Sequence, residues 1–227
     1  MDLVPARLFG GTALMAALYV AVGPLAGSST TLASALLEGA LFAGVVLWAH
    51  GSRRPRVMLG FALSAAVANA LTIAAWPWAL SLPVLASQAL SLPDAVARFV
   101  GFGFYSAVGA VIFCLLIDAF LRPRYFSLRT YGLTALCCVG AGLPCALADE
   151  PVVAVHKAAW WLLFSVGLWW AGRGTPRGSG AAPGSAAMAL LVLVALPMPM
   201  LLWGLRWDAP AVLQPAAFGF PCVPLAH

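Results

Sequence analysis

The chain has 227 residues, of which 63% are hydrophobic and only 8% are charged, whereas soluble domains carry about 25% charged residues. Its mean hydropathy is +0.98, and apolar runs of about 20 residues, long enough to cross a bilayer, recur along its length. The net charge of +5 would suggest nucleic acid as a partner of a soluble protein. Composition instead predicts one polytopic membrane domain over residues 1–227, in contact with the lipid bilayer and without a soluble domain.

Seven apolar segments are predicted to be transmembrane helices, so the predicted fold class is an all-α membrane bundle. The spans are residues 8–26, 32–49, 57–80, 95–119, 130–147, 152–170 and 188–205. The first could instead be a cleaved signal peptide, leaving six helices, although its apolar run exceeds the usual length of about 7–15 residues. Residues 81–93 are interpreted as an interfacial or re-entrant segment. The Pro-rich tail, 207–227, is predicted to be irregular.

The distribution of arginine predicts the orientation of these helices. Three basic turns and the amino terminus lie on one side and hold Arg7, Arg53, Arg54, Arg56, Arg122, Arg124, Arg129, Arg173 and Arg177. The other side mixes Arg98, Lys157 and Arg206 with Glu38, Asp94, Asp149, Glu150 and Asp208. Because cytoplasmic loops are enriched in Lys and Arg, the amino terminus is predicted inside and the carboxyl terminus outside. The basic charge is then a topology signal, and no direct nucleic-acid binding is predicted.

Glu38 is the only acidic residue well inside a predicted span. An ionisable group within the membrane is by default a candidate functional residue. Glu38 could accept a proton or contact a substrate, or it could only tie helices together through Asn69 or Ser64. Asn69, near the middle of the third span, is therefore a second intramembrane polar candidate.

His156 and Lys157 begin the sixth predicted span. His156 could contact Asp149 or Glu150 and act as a pH-sensitive switch, or it could simply be hydrated at the membrane surface. The lysine is interpreted as an interfacial residue whose long side chain extends to water.

No cofactor is predicted, and no metal or haem site. His50, His156 and His227 are predicted at different depths, and the sequence has no His-x-x-His or Cys-x-x-Cys pair. It also has no Gly-x-Ser-x-Gly motif and no recognisable Ser/His/Asp grouping. An enzyme is therefore not the preferred prediction, although polar groups on several helices could still converge.

The five cysteines are predicted at several depths. Cys145 and Cys222 both fall on the outer side, where they could form a disulfide if that side is oxidising. Cys138 and Cys145, seven residues apart on one helix face, would suit a thiol-based sensor equally well. Alternatively, all five are small apolar packing residues.

Two short patterns resemble small multi-pass anti-sigma factors of the bacterial inner membrane, a group that includes the light-responsive regulator of carotenoid synthesis. One pattern is Cys114-Leu115-Leu116-Ile117 followed by Arg122-Pro123, and the other is Cys145, then Asp149-Glu150-Pro151, then Trp160-Trp161. The resemblance implies a multi-pass protein of the bacterial inner (cytoplasmic) membrane that sequesters a cytoplasmic sigma factor. Only Met1–Arg7 precede the first span, so sigma-factor binding would have to use the basic turns.

The predicted function is accordingly a membrane-embedded negative regulator whose arginine-rich face holds an acidic partner and releases it on a stimulus such as light. One alternative is a small membrane enzyme or transporter with an outward-facing polar site formed by Glu38, Asn69, Arg98, Tyr105 and His156. Another is a structural subunit of a membrane complex, docked through the small residues of the fourth span, Gly101, Gly103, Ser106, Ala107 and Gly109.

Overall fold

The computed structural model describes residues 3–22, 32–51, 54–74, 89–121, 126–147 and 153–172. The elements in these ranges are all helical, as the composition predicted. They are α1 (Pro5–Val22), α2 (Leu32–His50), α3 (Pro55–Ala74), α4 (Asp94–Leu121), α5 (Leu128–Val139), a short 3-10 turn (Gly140–Gly142), α6 (Leu143–Leu147) and α7 (Val153–Gly172). The predicted seventh span, 188–205, and the tail, 207–227, lie outside the described residues. The count of seven spans and the in–out orientation stay predictions.

Four described segments are long and apolar enough to cross a membrane. They are Ala33–His50, Pro55–Ile73, Asp94–Leu121 and Leu128–Leu147, the last of which joins α5, the 3-10 turn and α6. α1 contributes a shorter apolar stretch, Pro5–Ala21, and α7 falls outside the set because His156, Lys157 and four tryptophans lower its hydropathy. Large apolar side chains such as Leu41 and Leu63 are exposed on these helices. Such a surface suits contact with lipid.

The described helices pack in chain order around a closed ring. Each long helix contacts the next, α5 contacts α7, and α7 returns to contact α1. Neighbouring helices are antiparallel. At one end of the bundle the Val4 backbone N–H donates to Ala49 O at 2.8 Å, and at the other end Asn69 Nδ2 donates to Ala35 O at 2.7 Å. One end of the bundle therefore holds the start of α1 and the end of α2, and the other end holds the start of α2 and the end of α3.

Aromatic side chains fill the middle of the ring. The ring of Phe42 lies 5.1 Å from that of Phe113 and 5.4 Å from that of Phe164, while Trp160 stacks on Phe164 at 5.1 Å. Phe42, Phe113 and Phe164 are buried. These side chains come from α2, α4 and α7, so the interior is a packed core that joins helices across the ring.

Two glycines allow close contact between helix backbones. A Cβ on Gly39 would lie 2.5 Å from Ala65 O, and a Cβ on Gly167 would lie 2.7 Å from Thr134 Cα. Because the Cβ would clash with backbone atoms in both cases, a larger residue could be accommodated only by moving a helix. Glycine thus sets the separation of α2 from α3 and of α5 from α7.

The small residues of α4 serve contacts within the chain. Gly101, Gly103, Ser106 and Gly109 are buried, and a Cβ on Gly142 would lie 2.8 Å from Gly103 N. This face of α4 is therefore covered by α5, the 3-10 turn and α7. It does not offer the exposed docking seam that the structural-subunit alternative requires.

Candidate functional site

An ion pair joins α2 to α7 at the end of the bundle where α1 ends. Lys157 Nζ donates to Glu38 Oε2 at 2.7 Å and to Tyr19 Oη at 3.0 Å, and Tyr19 Oη donates to Glu38 Oε1 at 3.1 Å. The side chains of Lys157 and Glu38 are only 15% and 11% exposed. The three residues form a closed triangle of hydrogen bonds, which offsets the desolvation penalty of burying both charges.

The position of Lys157 differs from its interpretation as an interfacial residue directed to water. Its ammonium group lies 5.2 Å from the centre of the Tyr19 ring, and Trp161, one turn further along α7, meets the edge of that ring at 5.1 Å. The antiparallel packing of α1 on α7 brings these residues together, although they lie far apart in sequence. Lys157 reaches an acid inside the bundle because pairing costs less than leaving Glu38 unpaired in an apolar setting.

Asn69 forms a separate contact between α2 and α3. Its side chain donates to Ala35 O, one turn before Glu38, beside the close approach at Gly39. The hydrogen bonds of the Glu38 carboxylate come from Tyr19 and Lys157 rather than from Asn69. Asn69 therefore ties two helices and lies outside the ion-pair triangle.

His156 is buried, with 1% of its surface exposed, so it is not the hydrated residue that one interpretation placed at the membrane surface. Its Nδ1 lies 2.7 Å from Ala141 O and its Nε2 lies 3.4 Å from Ser106 Oγ. A proline explains why this carbonyl is available: Pro144, three residues after Ala141, has no N–H to donate in the 3-10 pattern. Asp149 and Glu150, the predicted partners, lie outside the described residues.

Ser106 and its surroundings link α4 to α7. Ser106 Oγ lies 2.7 Å from Phe102 O, to which it can donate, and Trp160 Nε1 donates to Ser106 O at 2.9 Å. The rings of Phe102 and Tyr105 lie 5.4 and 6.5 Å from the His156 ring. The sequence did not suggest this Ser–His pair because the two residues are 50 positions apart and belong to no motif.

Residues of the outward-facing site predicted as an alternative take part in two sets of contacts. Glu38 belongs to the triangle with Tyr19 and Lys157, whereas His156 belongs to the contact with Ser106 and lies near Tyr105. Both groups lie toward the same end of the bundle, where Glu38 accepts from Tyr19 and Lys157 and the His156 ring lies within hydrogen-bond distance of Ala141 O and Ser106 Oγ.

The opposite end of the bundle carries exposed arginines. Arg7, Arg56 and Arg129 lie in the first turns of α1, α3 and α5, and Arg54 directly precedes α3. All four are exposed. Contacts between helix ends place them on one side: the ring of Phe9 lies 5.9 Å from that of Trp169, and the ring of Phe61 lies 6.1 Å from that of Phe120. A capping box between Ser127 and Thr130 starts α5 just before Arg129.

Asp118, the described acid at this end, is buried rather than exposed. It is 5% exposed, and its Oδ2 accepts a hydrogen bond from Tyr131 Oη at 2.9 Å. The positive charge of the described arginines is therefore not offset by an exposed carboxylate in the same part of the structure. The remaining predicted binding residues, Arg53, Arg122, Arg124, Arg173 and Arg177, lie outside the described residues.

The cysteines of α4, α5 and α6 are buried or partly buried between the helices. Cys114, Cys138 and Cys145 are buried, and Cys137 is partly exposed. Cys145 packs against Phe102, while its predicted partner, Cys222, lies outside the described residues together with any bond between the two. In the six described ranges no group of three or more His, Cys, Asp or Glu side chains could hold a metal ion.

Comparison of the chain with models of known protein families, with curated proteins and with solved structures finds no match in any of the three.

Proposed function

We propose that this chain is a multi-pass membrane protein that holds an acidic cytoplasmic protein at the membrane, as an anti-sigma factor holds a sigma factor, and releases it on a stimulus. The observation that carries the proposal is the group of exposed arginines at one end of the bundle, Arg7, Arg54, Arg56 and Arg129. Asp118, at the same end, is buried.

The arginine end is proposed to face the cytoplasm. Lys and Arg are enriched in the short cytoplasmic loops of membrane proteins, and at the opposite end Asp94 is exposed while Glu38 and Lys157 neutralise each other. In this orientation the amino terminus is inside, a seventh span at 188–205 completes the bundle, and the carboxyl terminus is outside. The resemblance to anti-sigma factors supports the bacterial inner membrane as the location, and light in control of carotenoid synthesis as one stimulus.

Arginine suits the binding of an acidic protein surface. Its planar guanidinium can form two parallel hydrogen bonds to one carboxylate, and it keeps its charge at any physiological pH. The four residues lie at the starts of three different helices, so a bound partner would bridge α1, α3 and α5. A rearrangement of these helices would change the spacing of the arginines and shift the equilibrium toward release.

The test is a crosslink and pull-down from native membranes. The charge-reversed variant carries Arg54→Glu, Arg56→Glu and Arg129→Glu, and a matched control carries Arg→Lys at the same three positions. We expect the unaltered chain and the lysine variant to recover one soluble acidic protein, and the glutamate variant to lose it. Equal recovery by the glutamate variant would contradict the proposal, as would recovery of lipids or membrane subunits alone by the unaltered chain.

A further inference from the structure

His156 has the geometry of an oriented general base. Its Nδ1 lies 2.7 Å from the carbonyl oxygen of Ala141, and since a carbonyl only accepts, Nδ1 must carry a hydrogen. In the neutral ring Nε2 then has the lone pair, and this atom is the one that faces Ser106 Oγ at 3.4 Å. A base held in one tautomer by a third group is the arrangement that activates a serine nucleophile.

Ser106 can direct its hydroxyl hydrogen to either of two acceptors. Its oxygen lies 2.7 Å from Phe102 O and 3.4 Å from His156 Nε2. The change from one acceptor to the other requires rotation of the O–H bond and a modest approach of the two side chains. Distances between nucleophile and base are often longer than 3.2 Å before substrate binds, so the resting geometry is compatible with proton transfer.

The surroundings of the pair are aromatic. Phe102 and Tyr105 on α4 lie beside the imidazole, and Trp160 on α7 donates its indole N–H to the backbone of Ser106. Lys157, the next residue after His156, is paired with Glu38. Both Ser106 and His156 are buried, so a substrate must be apolar enough to enter from the bilayer as the helices part locally.

We propose that Ser106 and His156 form a nucleophile–base pair that hydrolyses carboxylic esters of apolar molecules dissolved in the membrane. This proposal concerns the end of the bundle opposite the arginines and does not rest on the proposed function. It adds a reaction centre to a chain in which sequence motifs indicated none.

The reaction would proceed in two balanced steps. Ser106 Oγ attacks the ester carbonyl carbon while its proton passes to His156 Nε2, and the C–O bond to the alcohol breaks as the imidazolium returns that proton to the departing oxygen. Water then attacks the acyl-serine, giving its proton to His156, and the carboxylic acid leaves as Ser106 regains a proton. The orienting group is a neutral carbonyl instead of a carboxylate, so the imidazolium is stabilised less. This favours esters, whose alcohols depart more readily than the amines of amides.

The first experiment maps modification of the unaltered full-length chain in native membranes by diisopropyl fluorophosphate, a reagent small enough for a closed site. The Ser106 Oγ–P bond forms, the P–F bond breaks, fluoride leaves and the serine proton passes through His156 to water. We expect peptide mass spectrometry to locate the adduct on Ser106. Ser165 is the internal control, because it is also buried and donates to the carbonyl four residues earlier, but its other partner is the Thr12 hydroxyl.

A second measurement tests the base. His156→Asn keeps an amide that can donate to Ala141 O but cannot take up a proton, and we expect it to slow modification of Ser106 by about 100-fold. Hydrolysis of a p-nitrophenyl ester should fall in parallel in His156→Asn and Ser106→Ala and stay unchanged in Ser165→Ala. Absence of an adduct on Ser106 of the unaltered chain would overturn the proposal. So would modification of Ser106 and Ser165 at equal rates, or a rate unaffected by His156→Asn.

Discussion

Lys157 on α7 and Glu38 on α2 lie 2.7 Å apart, Nζ to Oε2, and are the described ion pair of this membrane bundle. Lys157 is the single lysine of the chain, and 119 residues separate it from its partner. Tyr19 of α1 is the third member of the cluster. The three residues therefore join three helices through contacts between positions far apart in the sequence.

Removal of either charge alone is expected to destabilise the bundle. Glu38→Gln or Lys157→Met leaves the other group buried without its partner, which costs about 3–5 kcal/mol in buried pairs. The double variant Glu38→Gln/Lys157→Met removes both charges and should recover most of that loss. Unfolding of the chain in lipid nanodiscs, followed by circular dichroism as denaturant is added, measures these differences. A double variant as unstable as the sum of the singles would show that the two charges do not interact.

Tyr19 should contribute less than the charges it bridges. Tyr19→Phe removes one donated and one accepted hydrogen bond but keeps the aromatic contact with Trp161. Hydrogen bonds between helices in membranes contribute on the order of 1 kcal/mol. We therefore expect a loss of about that size, and a smaller loss when Tyr19→Phe is added to the double variant, in which the introduced glutamine amide can still pair with Tyr19 but the introduced methionine cannot donate to it. An undiminished loss in that background would assign the role of Tyr19 to other contacts.

Gly39 is expected to tolerate no larger residue. A Cβ at this position meets Ala65 O and Ala66 Cα on α3, so Gly39→Ala should force α2 and α3 apart and also weaken the Asn69 hydrogen bond to Ala35 O. Gly44, on the same helix, is the matched control because nothing lies within 4 Å of a Cβ there. Gly44→Ala should be neutral or stabilising by up to about 1 kcal/mol. The thermal midpoints of both variants in detergent provide the comparison, and equal midpoints would refute the close approach.

The orientation predicts which residues an impermeant maleimide can reach. In a background with the five native cysteines replaced by alanine, Asp94→Cys should react in intact spheroplasts. Arg54→Cys should react only after the membrane is permeabilised, because the arginine end is proposed to face the cytoplasm. Both positions are exposed, so accessibility within the protein does not distinguish them. The reverse pattern would invert the topology and remove the basis of the proposed cytoplasmic binding face.

Helix positions were predictable from local composition, with differences at the ends. The fourth predicted span, 95–119, corresponds to α4 at Asp94–Leu121, and the fifth, 130–147, corresponds to α5, the 3-10 turn and α6. The first was placed at 8–26, whereas α1 begins at Pro5 and its described part ends at Val22. Hydropathy averages over many residues and therefore locates a span better than it locates the residue where the helix begins.

Side-chain partners were not predictable in the same way. The sequence singled out Glu38, His156 and Lys157 because polar groups are rare in apolar helices, but it offered Asn69, Asp149 and water as their partners. The observed hydrogen bonds to Lys157, Tyr19 and Ala141 depend on how each helix is rotated about its axis. Among helices that are apolar on nearly every face, no hydrophobic stripe specifies that rotation.

The sequence by itself determined the class of this protein, because a bilayer admits helices whose length and apolar composition are visible locally. It also predicted that arginine and acid are separated between the two sides, since charge is a property of each residue, and four of these arginines are exposed at one end of the described bundle. Only the tertiary structure decided that Glu38 meets Lys157 and that His156 meets Ser106. Those contacts arise from close approaches at Gly39, Gly142 and Gly167 and from aromatic packing inside the ring, which bring together residues that have no local relationship in the chain.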